Sequence, residues 1–257
     1  MKRTILFILM FSLCAMFAIA QDRVTHEPNE PDGDLSGPHP APPKKDVKWN
    51  LVFEENFDGD KVNLNEWSIY DSRGHDGNGL RTPRAFSVED GNLVITAQMV
   101  NGVIESGGMA HKRNYLYGKF EFRVKCDADP SGATSGVVLT WPQSEKWPID
   151  GENDIFETLT NKTRRPLHTF IHYGANNSQY HKSYDVDATQ WQVMAMEWFP
   201  DVMYIYLNGE LVWTLTDTEA IPHVPHHICP QLDAFAQVMG DPVRMYVDWI
   251  KIYQVEK

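Results

Sequence analysis

From Trp49 onward the sequence is a succession of short apolar or alternating runs, and this periodicity constrains the fold more than any other feature. "NLVITAQMV", "YGKFEFRVKC", "TSGVVLTW", "LHTFIHYG", "WQVMAMEWF", "VMYIYLNGELVWTL" and "VRMYVDWIKIYQV" are rich in β-branched and aromatic residues and are separated by Gly, Asn, Asp and Pro. Asn208-Gly209, between strand-like flanks, marks a tight hairpin. Long amphipathic helical segments are scarce, so the expected class is all-β, an antiparallel sandwich or barrel rather than an α/β fold. The absence of a fixed repeat argues against a propeller.

The 257 residues divide by composition. Residues 1–20 carry Lys2 and Arg3 ahead of an apolar run and end in Ala18-Ile19-Ala20, the pattern of a secretory signal. A membrane anchor is the competing reading, but the run is shorter than the ~20 residues needed to span a bilayer, so no membrane span is expected. Lipid attachment at Cys14 is disfavoured because Leu13 precedes it. Residues 21–47 are Pro-rich and polar, as a linker would be. One domain is expected over residues 48–257, exported to the periplasm or outside the cell, and a monomer.

Removing the signal leaves 21 basic against 35 acidic residues, a formal charge of −14, which makes nucleic acid a poor partner. The same field slows the approach of a highly sulfated polymer unless a local basic patch offsets it. Cys126 and Cys229 are too far apart in sequence to specify a disulfide.

The chemistry concentrates in "WPIDGENDIFETL", residues 147–159. In a regular strand Glu152 and Asp154 share a face and Glu157 points away. A β-bulge within Asp154–Glu157 returns Glu157 to the face of the other two. The Cα atoms of the two glutamates would then stand ~13 Å apart, and extended side chains can close toward the ~5 to 5.5 Å of a retaining glycosidase rather than the ~6.5 to 9.5 Å of an inverting one. Like charges on one face raise at least one pKa, which suits chemistry needing one protonated and one ionised carboxyl. Such acids also occur on exposed sheets facing solvent or a cation; Trp141-Pro142 and Trp147-Pro148, flanking the segment, favour a sugar cleft.

"GENDIFE" resembles the bulged E-x-D-x-x-E signature of glycoside hydrolase family 16. "FEENFDG", "LNEWSIY", "DGNLVITA", "SGGMAHKRNYLYGKFEFRVK", "TSGVVLTWP", "HTFIHYG", "WQVMAMEWFPDVMYIYLNGELV" and "MYVDWIKIY" look like its other strands in order. The resemblance implies a concanavalin-like jelly-roll β-sandwich of two antiparallel sheets with an open concave cleft for polysaccharide. It implies Glu152 as nucleophile, Glu157 as general acid/base and Asp154 as the nucleophile's hydrogen-bond partner. His172 would lie near the nucleophile, and Trp141 and Trp147 would line sugar subsites. His172 has a structural alternative and Trp141 a core one, whereas Trp147 is expected to be exposed.

The resemblance implies no cofactor and no catalytic metal. Some relatives carry a structural calcium on the convex side; Asp248 and Gly91 fit such a site, but Asn56 stands where an acid would help. His223, His226 and His227, in a Pro-rich stretch, read as surface residues rather than metal ligands. Asn153 departs from the usual aliphatic residue and, if buried, needs hydrogen-bond partners.

The expected activity is a retaining endo-β-glycanase, with a β-1,3-glucan preferred as substrate because of the charge. A β-galactan hydrolase is the alternative if Arg81, Arg84, Lys112 and Arg113 reach the cleft. A non-catalytic carbohydrate-binding protein is the other.

Overall fold

A computed structural model describes residue 44 and residues 46–256; the expected signal and nearly all of the linker lie outside the described residues. Within the described residues of that stretch, Lys44 pairs with Asp201 at 2.6 Å, and Val47 joins a cluster with Trp49 and Phe199.

The runs of alternating residues form two antiparallel sheets. One is ordered Trp67–Ile69, Val103–His111, His226–Ala234, Thr134–Pro142, Glu152–Glu157, Leu167–Tyr173 and Ser178–Tyr184. The other is ordered Phe86–Glu89, Asn92–Val100, Val243–Val255, Gly118–Cys126, Gln192–Trp198, Met203–Leu207 and Glu210–Leu215. Trp49–Glu55 pairs with the far end of Val243–Val255. Asn208 and Gly209 both take positive φ at the last hairpin, as a tight turn requires.

Alternation decides what each sheet buries. Val138, Ile155, Phe156, Ile171, Ile228 and Leu232 of the first sheet enclose one core with Phe120, Phe122, Met194 and Met196 of the second. Each of these large apolar side chains contributes roughly 1.5–3 kcal/mol by leaving water. The fold is the expected jelly-roll sandwich with a large curved sheet. The side chains of opposite parity, among them Val137, Leu139, Trp141 and Cys229, form a separate apolar patch on the outer face of the first sheet. That patch is the floor beside the acids.

Cys126 and Cys229 are both free and buried. Cys126 lies in the core close to Gly136, whereas Cys229 sits on the outer floor and receives the Tyr70 hydroxyl at 3.4 Å. On the second sheet the Asp248 carboxylate is engaged by the Arg123 guanidinium.

Candidate active site

The Glu152–Glu157 strand carries the bulge that the three-residue spacing requires. Against the Thr134–Pro142 strand, Asp154 faces Leu139 and Phe156 faces Val138, leaving Ile155 as the extra residue. Against the Leu167–Tyr173 strand, Glu152 faces His172, Asp154 faces Phe170 and Glu157 faces His168. Ile155 and Phe156 both point into the core. Two consecutive inward side chains are what restores Glu157 to the face of Glu152 and Asp154.

Asp154 Oδ2 lies 3.0 Å from His172 Nε2, and His172 Nδ1 lies 2.8 Å from Asn177 Oδ1. Since the Asn177 oxygen only accepts, Nδ1 carries a proton there. A neutral His172 therefore accepts at Nε2 from a protonated Asp154, and an imidazolium donates to an ionised one; either way the contact holds one proton. Trp147 donates its indole N–H to Glu152 Oε2 at 2.6 Å, and its ring stacks on Trp141 with centroids 6.3 Å apart and planes at 9°. Trp147 is 42% exposed, as expected. Trp141 is half-buried on the cleft side rather than in the sandwich core; its parity along the strand excludes it from the interior.

Burial and the charge of Asp154 push the Glu152 carboxyl up to about 8. Burial raises Asp154 to about 7. Glu157 stands well above the usual carboxylate range through burial and the charges of Asp154 and Glu152. Among the described residues no side chain donates a hydrogen bond to Glu157, whereas Glu152 receives the Trp147 N–H. The site therefore favours a proton on Glu157 and gives negative charge its specific partner at Glu152. Glu152, Asp154 and His172 are also the group of described residues whose ligand atoms lie close enough together, within 4.8 Å, to hold a metal ion.

The four cations weighed for a sulfated substrate are engaged within the protein. Arg81 Nε pairs with Asp233 at 2.7 Å and Arg84 with Glu105 at 2.5 Å. Arg113 pairs with Glu66 at 2.9 Å, and Lys112 donates to the Leu64 carbonyl at 2.5 Å.

The histidine cluster requires a correction. His226 is fully buried, not on the surface: it opens the His226–Ala234 strand, and its ring bonds Thr140 Oγ1 at 3.1 Å and the Asp150 carbonyl at 3.0 Å. Local composition concealed this because Pro222 and Pro225 mask the start of the strand. His223 is exposed as expected, and His227 bonds Asn114 at 2.9 Å. Asn153, also fully buried, finds one partner in Thr140 at 2.8 Å. Sequence reasoning missed Thr140, Asn177 and His226; the polar residue at 153 in an apolar setting was the signal that pointed toward two of them.

Residues 75–251 match the model of glycosyl hydrolases family 16. A β-glucanase of Brevibacillus brevis is 31% identical over 151 residues, 53% of this chain and 56% of its own length. The chain thus spans little more than half of that relative. A glucan endo-1,3-β-glucosidase of Cryptopygus antarcticus is 28% identical over 194 residues, covering 65% of this chain and 69% of the relative. The catalytic domain of an endo-1,3-β-glucanase from Thermotoga petrophila superposes with a TM-score of 0.70 at 23% identity, over 82% of this chain and 100% of that one. A laminarinase from Rhodothermus marinus gives 0.72 at 20% identity, over 82% and 99%. Those two structures share the fold. With the bulged acid strand in place and the family pattern matched over most of its length, the chain belongs to glycosyl hydrolases family 16.

Proposed function

We propose that this protein is an exported endo-acting β-glucanase that hydrolyses a β-1,3-linked glucan with retention of configuration. The observation that carries the reading is the bulge, which sets Glu152, Asp154 and Glu157 on one face beside the Trp141–Trp147 stack. Glu157, held protonated, donates to the glycosidic oxygen as the bond breaks. Glu152 attacks the anomeric carbon to form a glycosyl-enzyme ester, and Glu157 then takes a proton from the water that opens it. The Asp154 carboxyl, in contact with His172, stands on the same face, and its charge raises the proton affinity of both glutamates. No step calls on a cofactor, and the polysaccharide is the sole partner required.

The neutral substrate is supported by the pairing of Arg81, Arg84 and Arg113 with acids and by the bond of Lys112 to a carbonyl, which leave these four cations engaged without a sulfate. The relatives named for β-glucan hydrolysis support the same class. The test is reducing-sugar release from a panel of β-glucans and β-galactans, with proton NMR of the first product anomer. Release of β-anomer from a β-1,3-glucan, abolished in Glu152→Gln, is expected. Binding without release would make the protein a lectin, and first-formed α-anomer would make it an inverting enzyme.

A further inference from the structure

Beneath the acids, on the core side of the sheet, lies a polar chain in otherwise apolar surroundings. Asn153 Nδ2 donates to Thr140 Oγ1 at 2.8 Å, Thr140 Oγ1 lies 3.1 Å from His226 Nδ1, and His226 Nε2 lies 3.0 Å from the Asp150 carbonyl. All three side chains are fully buried. The direction of each bond follows from the chemistry of its ends. A carbonyl only accepts, so His226 carries its proton on Nε2; Nδ1 of the neutral ring then accepts the Thr140 hydroxyl proton, and the Thr140 oxygen accepts from the Asn153 amide.

The chain crosses three neighbouring strands and ends in the tight segment that bears Trp147. Asn153 is set between Glu152 and Asp154, Thr140 is its partner across the ladder, and His226 belongs to the next strand. Asp150 is held to Lys146 by a backbone bond at 3.0 Å, and Gly151 follows with φ of +84° and bonds Pro148 at 3.1 Å. A Cβ at Gly151 would stand 2.7 Å from Pro222 Cγ, so this turn has little room to shift. His226 is itself fixed, its main chain bridged to Tyr115 at 2.8 and 2.9 Å and its ring 5.2 Å from that of Trp198.

We propose that Asn153, Thr140 and His226 form a positioning relay which fixes the Trp147 segment through the Asp150 carbonyl, and thereby holds the Trp147 N–H on the Glu152 carboxylate. None of the three touches substrate. Their effect on the reaction runs through Trp147, and this inference rests on the hydrolase reading for its kinetic consequence alone. A purely apolar core would pack the two sheets equally well but would leave the Asp150 carbonyl without its buried donor.

Thr140→Val removes the central hydroxyl at nearly constant shape, and Thr140→Ser restores it. The indole N–H resonance of Trp147, assigned by its loss in Trp147→Phe, reports the bond to Glu152 directly. In folded Thr140→Val this resonance should move toward the position of a free indole, and kcat should fall on the order of tenfold, as expected when the donor to the reacting carboxylate is displaced. In Thr140→Ser both should return to within about twofold of the parent. His226→Leu, which removes the donor to Asp150, should move the resonance further, and His226→Gln, which keeps an N–H, should move it less. An unchanged Trp147 resonance in folded Thr140→Val and His226→Leu overturns the relay. If the parent cleaves no glucan, the hydrolase reading falls while the resonance still decides the relay.

Discussion

Trp147 donates its indole N–H to the Glu152 carboxylate at 2.6 Å while its ring stacks on Trp141. One side chain thus joins the acid that would attack to the aromatic surface that would hold the sugar.

Trp147→Phe keeps an aromatic face and loses the donor. A hydrogen bond to a charged group contributes about 1.5–3 kcal/mol, so kcat should fall roughly 10- to 100-fold. Because the N–H favours ionised Glu152, its loss raises that carboxyl, and the acidic limb of the kcat profile should move to higher pH. A pH–rate series on laminarin checks both.

The parity of the bulge gives a second test. Deleting Ile155 leaves Glu152, Asp154 and Glu157 on one face by ordinary alternation, at the loss of a buried side chain that stabilises the fold by roughly 2–5 kcal/mol. Inserting an Ala between Ile155 and Phe156 turns Glu157 toward the core. The deletion should give a less stable protein with residual hydrolysis, and the insertion should abolish turnover; equal activities would show that the face of Glu157 is irrelevant.

The acids should also weaken the fold as pH rises. Glu152 has a folded value of about 8 against an ordinary 4.5, so the native state binds more protons than the unfolded chain between these values. Stability is full below the unfolded value and is lost as pH climbs toward the folded one. Glu152→Gln should therefore match the parent near pH 4 and exceed it by about 4 kcal/mol at pH 8, measured by urea unfolding.

Asp154→Asn removes a negative neighbour of Glu157, which that charge helps to hold up. The basic limb of the kcat profile should then move to lower pH, with a lower maximum because His172 loses its acidic partner at 3.0 Å.

Asn153 Oδ1 is buried and has no hydrogen-bond partner among the described residues. Leaving such an acceptor dry costs about 1–3 kcal/mol, so Asn153→Leu should raise the melting temperature even where catalysis suffers. A drop in melting temperature would show that the bond to Thr140 outweighs the stranded oxygen.

The sandwich was legible because a sheet buried on one side writes itself as period-two alternation, which needs no knowledge of partners. "GENDIFE" displayed its bulge for the same reason: a three-residue gap between acids is incompatible with a shared face unless one residue is extra. The residues that hold the acids in place were not legible. Trp147 on Glu152, Asn177 on His172 and the burial of His226 depend on which strands become neighbours, and His226 reaches Asp150 across 76 positions of chain. Local pattern thus determined the class of fold and the face of each acid, since both follow from backbone geometry along one strand. Tertiary structure alone decided which proton each acid keeps, because that depends on burial and on donors brought together from distant segments.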